Sequence, residues 1–223
     1  MVDIKAVLVQ SVTEFFPVSS GAHLLLFCKG IVTPELLHLG TVIPVLLYFR
    51  KELFKNFFTV ALATIPAIII GFLVKKYSSY TDMQDITKWG ILLGALFMLF
   101  AELTPNATQK KISLKNATLI GFAQCLAFIP GFSRLGSTLS AGRLLGYDRV
   151  TTATFGFLLS MPTSLGAVIL AKPSTDDLLF ISPFIIIETI IGYISLWAFM
   201  KLNSRLFILL MVFYRLFLFW MLI

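Results

Sequence analysis

The sequence predicts an all-α polytopic membrane protein, with about six transmembrane helices plus two re-entrant helix hairpins in an inverted-topology repeat. Three observations carry this prediction. Of 223 residues, 58% are hydrophobic and only 13% charged, a balance that would not keep a soluble domain in solution. Apolar runs of about twenty residues recur, the length that crosses a hydrocarbon core of roughly 30 Å. Two further apolar segments carry Pro, Gly and Ser at their centres, where a helix cannot continue.

In chain order, the first of these broken segments is 4–28, followed by spans at 36–50, 57–74 and 89–102. The second is 116–146, followed by spans at 150–171, 180–200 and 206–222. A break frees backbone groups that survive at membrane depth only when buried in protein or facing water. Each broken segment is therefore expected to dip into the bilayer and return on the same side. They also echo one another. Phe16-Pro17-Val18-Ser19-Ser20 lines up with Ile129-Pro130-Gly131-Phe132-Ser133, and Ile65-Pro66 with Gly71 is echoed by Met161-Pro162 with Gly166. The chain reads as one integral membrane domain over 1–223, with a first repeat at about 1–103 and a second at about 114–223. Three spans between the hairpins send the second in from the opposite face, so the broken helices meet near the midplane.

The formal charge of +7 is not a nucleic-acid signal, because the basic residues stand at segment ends. Arg50, Lys51, Lys55, Lys110, Lys111, Lys115, Lys201 and Arg205 fall on one side; Asp82, Asp85, Asp176 and Asp177 fall on the other. The positive-inside rule makes the first side cytoplasmic, with the mouth of the first hairpin facing outward. The opening Met-Val-Asp-Ile-Lys lacks a basic n-region and a small-residue cleavage site, so no signal peptide is expected. Cys28 and Cys125 lack metal-ligand spacing and are expected to be inert thiols.

Ionisable residues at membrane depth are costly and mark candidate sites. Gln10 and Glu14 are one helical turn apart and share a face, and Pro17 ends the helix just beyond them. Glu14 suits a general base or a cation ligand, or else a buried structural carboxylate. Ser19 and Ser20 open the next helix, where free N–H groups and the positive dipole end attract an anion. His23, about one turn after Ser20, could take its hydroxyl proton and make it a nucleophile, or water could attack directly with Glu14 or His23 as base; alternatively the serines cap the helix and His23 binds a carbonyl. In the second segment, Gly131 permits close backbone approach, Ser133 adds a donor, and Arg134 offers a fork that matches phosphate oxygens. An ion pair with Glu14 is compatible with that role. Ser137 and Thr138 are weaker signals. Glu188 has no motif, His38 reads as interfacial, and Arg215 is left to snorkelling or a headgroup contact.

These stretches resemble bacterial undecaprenyl-diphosphate phosphatase, the bacitracin-resistance protein family. That family is marked by (Glu/Gln)-x-x-x-Glu, then Pro-Val-Ser-Ser and a His, and by a second motif Pro-Gly-x-Ser-Arg-Ser-x-x-Thr. Here the first runs from Gln10 to Glu14, then Pro17-Val18-Ser19-Ser20 and His23; the second is Pro130 to Thr138, with Leu135 in place of a serine. The run from His38 to Lys51 and that from Phe155 to Pro162 are also similar to the family, and the chain is shorter than is usual there, as trimmed loops would make it.

The resemblance implies hydrolysis of undecaprenyl diphosphate to undecaprenyl phosphate and inorganic phosphate, recycling the cell-wall lipid carrier at the outer face of the bacterial inner membrane. It implies catalytic Glu14, Ser20, His23 and Arg134, and phosphate binding by Gln10, Ser19, Gly131, Ser133, Arg134 and Thr138. A divalent cation, magnesium or calcium, would fall to Glu14. The partners implied are the polyprenyl diphosphate lipid and the bilayer, with no nucleic acid. Inverted repeats with broken helices are also a transporter signature, so a polyprenyl-phosphate flippase is the competing expectation.

Overall fold

A computed structural model describes residues 3–28, 34–77, 83–105, 108–109 and 111–222. Asp82 and Lys110, both used in the charge argument, lie outside these residues. The described chain is built from helices: α1 (Ile4–Thr13), α2 (Ser20–Phe27), α3 (His38–Tyr77), α4 (Met83–Leu103), α5 (Leu114–Gln124), α6 (Arg134–Leu144), α7 (Arg149–Ala171), α8 (Thr175–Leu202) and α9 (Arg205–Met221). Short 3₁₀ turns at Pro34–Leu37 and Cys125–Phe128 adjoin α3 and α5.

Helix starts follow from side chains that satisfy orphan N–H groups. Asp3 accepts from Lys5 at α1, Ser113 from Asn116 at α5, Asp148 from Thr151 at α7, and Ser204 from Phe207 at α9. At α8, Ser174 and Asp177 form a reciprocal capping box.

Helices α3, α4, α7 and α8 are long and apolar enough to cross a membrane; α9, at 17 residues, is just shorter. The protein is an all-α polytopic membrane protein. The expected spans at 36–50 and 57–74 are joined in one 40-residue helix, broken only at Phe49 (φ −108°, ψ 22°). Its first limb lies along α8, where Gly40 meets Glu188 and Pro44 meets Gly192. Its second lies along α5, where Gly121 faces the Ala63 carbonyl and Phe128 covers Gly71. Near the end of that limb, Lys75 donates to the carbonyl of Leu170. That end of α7 also holds Val168, clustered with Leu36 and Leu37 from the 3₁₀ turn that leads into the first limb. The chain thus doubles back at Phe49, and the two predicted spans are two limbs of one helix.

The two interrupted segments each form a pair of short helices in mutual contact, α1 with α2 and α5 with α6. At 8 to 11 residues, none approaches the roughly twenty that a crossing needs. The breaks share a backbone device: Ser19 (φ 70°) caps α2 and Ser133 (φ 68°) caps α6. Ser133 therefore corresponds to Ser19 rather than to Ser20, one position away from the pairing that the prolines suggest. Gly131 is the extra residue, at φ +90°, with its Cα so close to α4 that a Cβ would stand 2.2 Å from the Thr87 carbonyl oxygen.

Phe157 of α7 is the hub of the core. Its ring meets Phe15 of the first break at 6.0 Å, Phe49 of the α3 kink at 5.9 Å and Phe199 of α8 at 5.6 Å. At the opposite end of α4, buried Glu102 accepts three contacts from the Arg149 fork and lies 3.9 Å from Nε of Arg143. This cluster ties α4, α6 and α7 together.

Candidate active site

Pro17 cannot extend α1, and Glu14 is left at its C-terminal edge, its N–H still bonded to the Gln10 carbonyl. The carboxylate, mostly buried, collects partners from both halves of the chain. Its Oε2 accepts from Nε2 of Gln10 at 3.0 Å and from the Ser20 hydroxyl at 2.6 Å. Its Oε1 lies 3.4 Å from Nη2 of Arg134 and 3.7 Å from Nδ1 of His38. Gln10 also approaches that His38 nitrogen at 3.3 Å.

Arg134 opens α6 and is held from behind by α7. Its Nη1 donates to the Ser164 hydroxyl at 2.6 Å, the Thr163 hydroxyl at 3.1 Å and the Ser160 carbonyl at 3.2 Å. The guanidinium is thus fixed in orientation, with Nη2 turned toward Glu14. In front lies an open cleft of about 190 Å³ lined by Glu14, Ser19, Ser20, Gly131, Ser133 and Arg134, among others. Two helix N-termini, those of α2 and α6, converge on it, and both favour negative charge.

The structure brings together Gln10, Glu14, Ser20 and Arg134, with Ser19, Gly131 and Ser133 on the cleft wall. Ser19 and Ser133 each cap a helix, accepting from the N–H of Ala22 and of Gly136. It does not bring His23 to Ser20. Three residues turn a helix by about 300°, which carries His23 off the cleft-facing side toward α9. Its Nδ1 lies 2.7 Å from the Ser19 carbonyl oxygen, its Nε2 lies 2.7 Å from the Tyr214 hydroxyl, and its ring stacks on Tyr214. Thr138 is also absent from the cleft. It is fully buried against Gly156, and its hydroxyl contacts the carbonyls of Arg134 and Leu135. Leu135 itself lines the cleft, an apolar wall where the family motif has a hydroxyl.

Sequence reasoning missed His38 and the α7 collar of Ser160, Thr163 and Ser164. His38 sits at the head of an apolar span, a position that reads as interfacial when the break opposite it is invisible. The collar had a faint signal: three hydroxyl residues within five positions, around Pro162 of an apolar helix.

Among the described residues, no group of three or more His, Cys, Asp or Glu stands together as a metal cage. The cleft offers one carboxylate, Glu14. That donor set fits a magnesium-type ion held by one carboxylate and substrate phosphates.

The sequence profile of the bacitracin resistance protein BacA family matches residues 4–220, essentially the whole fold. The chain belongs to this family. A curated relative, the undecaprenyl-diphosphatase of Alteromonas mediterranea, is 37% identical over 201 residues, covering 77% of this chain and 74% of the relative.

Proposed function

We propose that this member of the family is an integral membrane phosphatase, hydrolysing undecaprenyl diphosphate to undecaprenyl phosphate and inorganic phosphate. The observation that carries the mechanism is the 2.6 Å hydrogen bond from Ser20 to Glu14, in a cleft that Arg134 also lines. A serine hydroxyl is a weak nucleophile until a base stands beside it, and here that base is Glu14 rather than His23.

The terminal phosphate enters between Ser20 and Arg134 and replaces Glu14 as the partner of Nη2. Ser20 Oγ attacks the terminal phosphorus and passes its proton to Glu14. The bond from that phosphorus to the bridging oxygen breaks, and the lipid monophosphate leaves. Glu14 hands that proton to the bridging oxygen of the departing monophosphate; water, deprotonated by Glu14, then cleaves the phosphoserine, and Glu14 returns the proton to Ser20 Oγ as inorganic phosphate is freed. Arg134 and the N–H groups at the starts of α2 and α6 stabilise charge on the transferred phosphoryl group, typically the largest catalytic contribution. His38, beside Glu14 Oε1, keeps that carboxylate oriented. A divalent cation would be held by Glu14 with the diphosphate, and would neutralise charge on the phosphate oxygens.

We place the protein in the bacterial inner membrane with the cleft facing outward, and treat the two halves as an inverted duplication. The distribution of Lys and Arg and the paired positive-φ serines support that arrangement. No observation favours transport over hydrolysis. The test of the covalent route is to incubate purified protein with labelled diphosphate lipid and quench early. Wild type should yield phosphoserine at Ser20, and Ser20→Ala should lose both the label and nearly all phosphate release. Substantial hydrolysis by Ser20→Ala would replace the serine with water as nucleophile.

A further inference from the structure

Arg215 lies midway along α9, a helix whose other residues largely face outward: Phe213, Phe217 and Trp220 are each more than half exposed. Arg215 itself is fully buried. Among the described residues no carboxylate forms an ion pair with it. Its partners are all backbone carbonyls. Nη1 donates to Pro17 of the first break at 3.2 Å. Nη2 lies 2.9 Å from the Gly131 oxygen and 3.4 Å from that of Phe132, both in the second break. It also lies 3.0 Å from the Ile91 oxygen and 3.3 Å from that of Gly90, both on α4.

Two costs offset each other here. A helix break leaves carbonyls without donors, and at membrane depth each such group costs several kcal/mol. A cation without counter-ion is also costly, and inward-pointing carbonyl dipoles are what solvates it. The fork of an arginine can reach both breaks at once, whereas the ammonium of a lysine is one compact donor point. The next residue but one after Pro17 is Ser19, and Ser133 follows Phe132. Both are the positive-φ caps that start the cleft-lining helices. Fixing the Pro17 and Phe132 carbonyls therefore fixes where Ser20 and Arg134 begin. Gly94 makes room for this, because a Cβ there would stand 2.1 Å from Nη2 of Arg215. Tyr214, the preceding residue, holds His23 of α2, so consecutive residues of α9 brace the same hairpin.

We propose that Arg215 is a positioning residue, a cationic pin that joins the two helix breaks and sets the spacing between the Ser20–Glu14 pair and Arg134. Its effect on turnover rests on the phosphatase reading above; its bracing of the breaks does not. Arg215→Lys keeps the charge and removes the fork. Gly94→Ala keeps the arginine and pushes its guanidinium aside, while improving the helix propensity of α4.

The experiment compares both variants with wild type by thermal unfolding, amide hydrogen exchange and steady-state phosphate release from the lipid diphosphate. In both, exchange should rise about tenfold or more at 18–21 and 131–136 while α7 and α8 stay protected. The value of kcat per folded molecule should fall about tenfold or more with KM within about threefold, as a misplacement of 1 Å can cost about a hundredfold. Unchanged exchange at the two breaks would overturn the proposal, as would an even rise along the whole chain, or a loss of folded protein with normal kcat in the remainder. Wild type without turnover would instead defeat the phosphatase reading, and the exchange pattern would still decide whether Arg215 pins the breaks.

Discussion

Ser164→Ala removes one hydroxyl from the collar that fixes Arg134 and leaves everything that touches substrate in place. The hydroxyl accepts from Nη1 at 2.6 Å, the shortest of the three contacts on that nitrogen. A hydrogen bond to a charged group contributes about 1.5–3 kcal/mol. The Thr163 hydroxyl and Ser160 carbonyl remain and recover part of this, so the net loss should sit near the lower bound. At about 1.4 kcal/mol per factor of ten, that is roughly a tenfold fall in kcat/KM. The assay is phosphate release from purified protein across a range of lipid concentrations. Thr163→Val should cost less, because its contact is longer and that hydroxyl also lies 3.0 Å from the Leu159 and Ser160 carbonyl oxygens. The double variant should lose more than either single change. A Ser164→Ala enzyme within twofold of wild type would refute the idea that α7 orients the guanidinium.

Two further outcomes concern the frame that carries the site. Gly131→Ala forces a side chain to a φ of +90° and puts its Cβ 2.2 Å from the Thr87 carbonyl oxygen. Strain and overpacking together should cost roughly 2–5 kcal/mol, and an unchanged thermal midpoint in detergent would contradict the backbone approach described here. Glu102→Ala leaves the Arg149 fork and buried Arg143 without their carboxylate. Breaking a buried pair from one side costs about 3–5 kcal/mol, so the midpoint should fall clearly while kcat per folded molecule stays near wild type.

Much of the fold was legible because hydropathy and length report directly on crossing a bilayer. The spans 150–171 and 180–200 correspond to α7 (Arg149–Ala171) and α8 (Thr175–Leu202). The join at Phe49 was not legible, since Arg50, Lys51 and Lys55 read as loop charges although the helix runs through them. In the site, Glu14, Ser20 and Arg134 were legible because polar groups in an apolar run are conspicuous. The partner of Ser20 was not. Spacing along one helix suggested His23, while the actual acceptor, Glu14, comes from across the break, and a one-dimensional pattern does not report the angle at which two helix pieces meet. Arg215 shows the same gap from the other side. Its carbonyl partners at Pro17 and Gly131 are far away in sequence and have no side-chain signature.

In the proposed mechanism two half-sites form one phosphate-cleaving centre, Ser20 and Glu14 from the first break and Arg134 from the second. The most direct measurement is phosphate release from undecaprenyl diphosphate by purified wild type and Arg134→Ala, with folding of both checked by thermal unfolding. Wild type should release phosphate, and the folded variant should be slower by about a thousandfold, the smaller of the losses associated with an arginine that stabilises a transferred phosphoryl group. A folded Arg134→Ala protein that releases phosphate at the wild-type rate would rule that mechanism out.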